Sequence, residues 1–220
     1  MTTAIGALAL ALALAAGACG SDDGSSSGSA AEAGGDPAPD LVGVVREDPP
    51  RVGDVTLPEE APDADPVPFT MTAAPGELLL VYFGYTSCPD VCPTTLSDVK
   101  GALAALGDDA ASIDVAMATV DPERDTVEVL DGYLDHFLDR YHVLRTTDPA
   151  ELKTAEDAFG ASSSVTTGDD GAVEVSHTGT LYAVDDTGTL LIEWPFGTPR
   201  DAVISDLGIL VDRLGDDPAA

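Results

Sequence analysis

Between Leu78 and Phe83 the chain is apolar without a break, Leu-Leu-Leu-Val-Tyr-Phe. That is the pattern of a strand buried on both faces. Gly84-Tyr85-Thr86-Ser87 interrupts it. After Pro93 the period changes: Leu96, Val99, Leu103 and Leu106 recur at intervals of three and four, as on one face of a helix. Ser112 to Val120 predicts a second buried strand. Asp121-Pro122-Glu123-Arg124-Asp125-Thr126 ends it, with Asp125 or Thr126 suited to cap the next helix. That helix is expected over Val127 to Arg140, with Val127, Val129, Leu130, Tyr133, Leu134 and Phe137 as its apolar stripe.

Further on, Tyr141 to Arg145 predicts a short strand, and Pro149 to Phe159 a helix stopped by Gly160. Ala161 to Val173 is polar and glycine-containing and reads as a loop. Thr180 to Val184 and Thr189 to Trp194, joined by Asp185-Asp186-Thr187-Gly188, predict a hairpin. Pro199 to Leu214 predicts a closing helix. Ahead of the core, short apolar runs at Leu41–Val45, Val55–Leu57 and Val67–Met71 suggest edge strands or a hairpin. Strands alternating with helices predict an α/β layer fold over residues 41–214, with residues 215–220 as a disordered tail.

Charge narrows the choice of partner. The 220 residues carry a formal net charge of −31. A nucleic-acid partner is excluded on that ground, because phosphates need Lys and Arg. Docking on anionic lipid by charge alone is disfavoured for the same reason.

The candidate chemistry lies where the first buried strand gives way to its helix. Cys88 and Cys92 flank Pro89-Asp90-Val91, and Pro93 follows at once. Proline suits a first helical turn, where its missing N–H has no partner to lose. In helical geometry, residues four apart lie on one face. A helix N-terminus also favours the thiolate. Such a pair can hold a soft metal ion, close to a disulfide, or simply pack as two small apolar residues.

The third cysteine has a different context. Ala4 to Ala18 is an apolar run of signal-peptide length, and it ends Ala16-Gly17-Ala18-Cys19. This resembles a bacterial lipoprotein signal, although Ala16 stands where leucine is usual and no Lys or Arg precedes the run. The resemblance implies a signal peptide over residues 1–18, acylation of Cys19, and anchoring on the extracytoplasmic face of the cell membrane. Residues 19–40 are Ser, Gly, Ala, Asp and Pro with almost nothing to bury, and read as a flexible tether.

Three separated motifs extend the reading. Phe83-Gly84-Tyr85-Thr86-Ser87-Cys88-Pro89-Asp90-Val91-Cys92-Pro93, then Val120-Asp121-Pro122-Glu123-Arg124-Asp125-Thr126, then Val175-Ser176-His177-Thr178-Gly179-Thr180-Leu181-Tyr182 occur in that order. Together they resemble the Sco/SenC proteins. The resemblance implies a thioredoxin-like fold: a central mixed sheet flanked by helices, here with an N-terminal hairpin extension. It implies copper bound through Cys88, Cys92 and His177. It implies assembly of the Cu-A centre in cytochrome c oxidase subunit II. Other copper chaperones or thioredoxin-like reductants become candidate partners.

Coordination chemistry agrees with that donor set. Soft thiolates select Cu(I), and imidazole suits copper in either oxidation state, so Cu(II) stays open. The competing reading is a thiol–disulfide oxidoreductase that uses Cys88 and Cys92 alone, so enzymatic activity stays open too. A peroxiredoxin-like peroxidase is a more distant third. Asp121 and Asp125 read chiefly as a strand end and a cap, with an outer role behind the dithiol as the lesser alternative. His136 suits a solvated helix face, His142 an edge position, and Met71 and Met117 the core.

Overall fold

The computed structural model describes residues 40–215. The expected signal peptide, Cys19, the tether up to residue 39 and the tail from 216 lie outside the described residues.

The strand expected from the apolar run is β3 (Leu78–Gly84), and every residue in it is buried. A strand buried on both faces needs partners on both edges, and β3 has them. It pairs in parallel with β4 (Ile113–Thr119), Leu78 opposite Ile113 and Gly84 opposite Thr119. On its other edge it pairs antiparallel with β8 (Thr180–Val184), which continues into β9 (Leu190–Pro195). Beyond β4 comes β5 (His142–Leu144), again parallel.

An N-terminal hairpin, β1 (Thr56–Glu59) and β2 (Val67–Thr70), adds to the β5 edge and completes a seven-stranded sheet in the order β2-β1-β5-β4-β3-β8-β9. The mixed sheet with flanking helices and the N-terminal hairpin are as the sequence indicated. The run Leu41–Val45 differs. It forms only one bridge, Val44 to Glu193. It is held instead by the buried Asp206, which accepts from the N–H groups of Val42 and Gly43 and from the Trp194 indole.

Four helices complete the layers: α1 (Val91–Leu106), α2 (Val127–Leu134), α3 (Pro149–Phe159) and α4 (Arg200–Gly215). α1 packs with α4, α2 with β5, and α3 with β1. α3 shows how sequence writes its own ends. Asp148 accepts from the Ala150 N–H at 2.8 Å, Pro149 opens the first turn, and Gly160 closes the helix in the left-handed conformation at φ 71°.

α2 is shorter than its stripe suggests. It ends at Leu134, and the chain tightens there, with Phe137 N–H donating three residues back to Leu134 at 2.8 Å. Val129 faces solvent. His136 is exposed beside the Gly132 carbonyl, and His142 sits in β5 against Glu59. Met71 and Met117 are both buried.

The largest departure is the segment expected to be a loop. Ser163–Thr167 and Val173–His177 form a second, two-stranded antiparallel sheet, β6 and β7. Its residues are all exposed or half-buried; β6 shows no apolar alternation, and β7 only the short Val173-Glu174-Val175-Ser176. The turn at Gly168–Ala172 closes it, with Gly168 N–H donating to Ala172 at 2.8 Å. His177 stands at its root, opposite Ser163.

Candidate metal centre

The two cysteines owe their place to the strand–helix junction. α1 begins at Val91, two residues before Pro93, so Cys92 and Pro93 lie in its first turn while Cys88 stays outside it. Asp90, in the capping position, makes no side-chain cap bond. Cys88 Sγ serves in its place, accepting the Cys92 N–H at 3.3 Å. The thiols are therefore joined by a helix-start contact rather than by stacking on one helical face.

Behind them the loop is fixed by Asp125, which has no exposed surface. Its carboxylate accepts from Thr86 N–H at 3.1 Å, Thr86 Oγ1 at 2.5 Å and Thr119 Oγ1 at 2.7 Å. Asp125 thus acts on the cysteine loop and not as the cap of α2; Thr126 occupies that position, without a side-chain cap bond. Asp121 stands one step further back. It is buried and paired with Arg124, and burial raises its pKa against the pull of that guanidinium. Arg145 ties down the segment that carries Asp121 and Asp125, through the Pro122 and Asp125 carbonyls. The sequence offered no signal for Arg145; its role depends on β5 lying beside β4.

His177 arrives from the other side. Its Nδ1 lies 3.1 Å from the Thr178 carbonyl. A carbonyl only accepts, so the tautomer protonated on Nδ1 donates to Thr178 and keeps the Nε2 lone pair for a metal. Nε2 lies 3.5 Å from Cys92 Sγ. The rings of Tyr85 and Tyr82 stand nearly perpendicular to the imidazole, at centroid distances of 5.6 and 6.1 Å. Ser162 and Thr178 clasp the hairpin root, with Thr178 N–H donating to the Ser162 carbonyl at 2.9 Å and Ser162 N–H to Thr178 Oγ1 at 3.1 Å.

One ligand atom from each of Cys88, Cys92 and His177 falls within 4.8 Å of the others. Both cysteines are free and buried. Burial pushes the Cys92 thiol up to about 12, the reverse of the thiolate that its place at a helix start suggests. Burial also pulls the His177 imidazole below 6.5, so it is neutral at neutral pH and able to donate to a metal. Between the cysteine loop and the β6–β7 hairpin runs an open groove of about 590 Å³, bordered by Tyr85, Ser87, Pro89, Arg124 and Val175.

A mixed sheet with a dithiol at the start of the helix after a central strand defines a thioredoxin-like domain, here with a histidine added to the dithiol. Comparison with known proteins makes this more specific: the SCO1/SenC family model matches residues 59–212, and the chain belongs to that family. A SCO2-like protein of Rickettsia prowazekii is 35% identical over 115 residues, which span 51% of this chain and 56% of that one. The chain thus matches little more than half the length of that relative.

Among solved structures, apo Sco1 from Thermus thermophilus is 30% identical, with a TM-score of 0.65. The match covers 78% of this chain and 97% of that one. Bradyrhizobium japonicum ScoI with copper bound is 29% identical, with a TM-score of 0.59, over 70% of this chain and 96% of that one.

Proposed function

We propose that the protein is a copper metallochaperone that delivers copper to the Cu-A site of cytochrome c oxidase subunit II. The observation that carries this reading is the convergence of Cys88 Sγ, Cys92 Sγ and a His177 nitrogen within 4.8 Å. Two sulfurs and one imidazole suit copper, and thiolates suit Cu(I) in particular. Three ligands leave a position through which an acceptor's ligand can enter. The donor set fits its cargo in a second respect: in the tautomer that donates from Nδ1 to the Thr178 carbonyl, His177 has Nε2 available to a metal, 3.5 Å from Cys92 Sγ. The copper-bound Bradyrhizobium relative supports the same reading.

Copper would be held by Cys88 and Cys92 from the loop and by His177 from the hairpin, with Asp125 and Asp121 maintaining the loop behind them. Among the described residues no helix is long and apolar enough to cross a membrane. The anchor in this proposal is a lipid on Cys19, which places the domain at the extracytoplasmic face. In that case Cys19→Ser releases the protein from the membrane fraction or leaves it unprocessed. An unmodified Cys19 in the mature protein would overturn the anchor without touching the copper site.

A second reading is a thiol–disulfide oxidoreductase acting on the Cu-A cysteines, and the free, adjacent thiols favour it. His177 separates the two. A dithiol reductant works without the imidazole, whereas a three-ligand copper site does not. Copper per chain is measured with and without reductant, and oxidase activity is measured in cells carrying His177→Ala or Cys88→Ala. The chaperone reading requires both variants to fail. Normal oxidase assembly with His177→Ala, but not with Cys88→Ala, would replace it with the reductase.

A further inference from the structure

Tyr82 is a core residue of β3 with no exposed surface, yet its hydroxyl has no hydrogen-bond partner among the described residues. An unpaired buried hydroxyl is a cost that native structures seldom carry without a reason. Its surroundings suggest the reason. A Cβ placed on Gly84 would lie 2.6 Å from Tyr82 Cε1 and 3.1 Å from Cys92 Sγ. The hydroxyl-bearing edge of the ring and the sulfur therefore border the same small gap, which glycine keeps open. The imidazole of His177 meets the same ring edge-on.

The hydroxyl end of the ring thus borders the space beside Cys92 Sγ without a completed hydrogen bond. A tyrosine hydroxyl keeps its proton at neutral pH, so beside a thiolate it is an O–H donor.

We propose that Tyr82 is a positioning residue of the copper site, its hydroxyl donating a hydrogen bond to Cys92 Sγ when that sulfur is a copper-bound thiolate. The inference rests on the copper reading above and deepens it. The protein with a protonated thiol leaves the donor idle; the loaded protein uses it. Such a bond draws electron density from sulfur and weakens its donation to Cu(II) more than to Cu(I). It therefore favours the reduced ion, as hydrogen bonding around a cysteine sulfur does at other copper sites.

The test compares the wild-type chain with Tyr82→Phe and Tyr182→Phe, each loaded with Cu(II). Tyr182 is a control: it is equally buried in β8 and stacks edge-on against Phe83 and Phe159. The readouts are the thiolate-to-Cu(II) charge-transfer band and the Cu(II)/Cu(I) potential. Tyr82→Phe removes an unpartnered hydroxyl, so the apo fold is retained, with Tm equal to wild type or higher. Its band moves to longer wavelength and its potential falls; Tyr182→Phe moves neither.

Uniform 3-fluorotyrosine in the wild-type chain supplies a second reading that needs no substitution at Tyr82. A more acidic phenol donates more strongly, so the band moves to shorter wavelength. A band that stays put in both Tyr82→Phe and the fluorinated protein overturns the role of Tyr82 and leaves the copper reading intact. A wild-type chain that takes up no copper overturns both.

Discussion

The three candidate ligands come from two regions built in opposite ways. Cys88 and Cys92 lie in the loop and first helical turn that follow β3, which is buried along its whole length and bonded on both edges. Their loop is fixed by a carboxylate with no exposed surface. His177 sits at the root of a two-stranded sheet whose residues are mostly in contact with solvent. One region owes its geometry to the core and the other to a few hydrogen bonds at its base. For the proposed chaperone, which would hold a metal and then surrender it, this division would be an advantage. On that proposal the sulfurs would define where the ion sits, and the imidazole would leave without unfolding the domain, because stability is distributed unevenly within a fold.

The largest expected effect comes from breaking the rigid half. Asp125→Ala removes three accepted hydrogen bonds and strands the donors on Thr86 and Thr119. Bonds to a buried charge contribute about 1.5–3 kcal/mol each, and their losses overlap within one network, so we expect a loss of roughly 3 kcal/mol. Tm should fall by roughly 6–12 °C. Urea and thermal melts measure it. A loss below about 1 kcal/mol would mean that the cysteine loop is held by something other than Asp125.

His177→Ala tests the opposite half. Copper affinity should fall at least ~10–100-fold, the range typical of losing merely a partner that orients a metal ligand. Folding stability should change by about 1 kcal/mol or less, since the hairpin contributes little to the core. The Cys88–Cys92 disulfide should still form. Competition against a Cu(I) chelator reads the affinity. Unchanged affinity would remove the hairpin from the site and leave a dithiol.

Protonation sharpens the contrast further. Cys92, raised to about 12, carries its proton at neutral pH and must release it on binding. From Cys92 alone, copper affinity should rise about tenfold per pH unit between roughly pH 7 and 9. His177 competes with protons only below its folded pKa, which lies under 6.5, so the dependence steepens on that acidic side.

The stability of the apo protein follows the same shifts. As pH falls below 6.5 the unfolded His177 takes up a proton first, and the folded state loses stability until its own lower pKa is passed. As pH rises above about 9 the unfolded Cys92 ionises first, and stability falls until about pH 12. Copper affinity that stayed flat from pH 6.5 to 9 would show that Cys92 is not displacing a proton on binding.

How far the sequence could be read divides along the same line. β3, β4, the β8–β9 hairpin and α3 were legible because burial and capping leave periodic and local marks. The three candidate ligands were legible from their motifs. The pairing of Asp125 with Thr86 was not, since it joins residues 39 apart that only the β3–β4 register brings together. The same holds for Arg145 and the Pro122 carbonyl. The expectation of a loop over Ala161 to Val173 fails at β6, because a strand with four of its five residues exposed carries no apolar alternation. The Val and Thr of Ser163–Thr167, Gly and Asp in the turn, and the alternation of Val173-Glu174-Val175-Ser176 were the hints available. The raised Cys92 thiol was also hidden, because helix position suggests the reverse and burial is visible only in the fold.

The smallest expected effect lies in the hairpin itself. Val165 is 45% exposed in the middle of β6, opposite Val175. Val165→Ala should change folding stability by no more than about 0.5 kcal/mol, as expected for a surface position away from caps and buried networks. The informative measurement is amide hydrogen exchange. A backbone bond opens locally when few buried contacts close over it, and β6–β7 has few. Its amides should therefore exchange by local opening, while those of Leu79 to Phe83 exchange only when the whole domain unfolds. Copper should slow exchange in the hairpin far more than in β3, because binding through His177 ties the loose half to the fixed one. Equal protection of the two strands in the apo protein would remove the contrast between a rigid and a yielding half. Equal slowing by copper would remove the idea that His177 is the ligand that lets go.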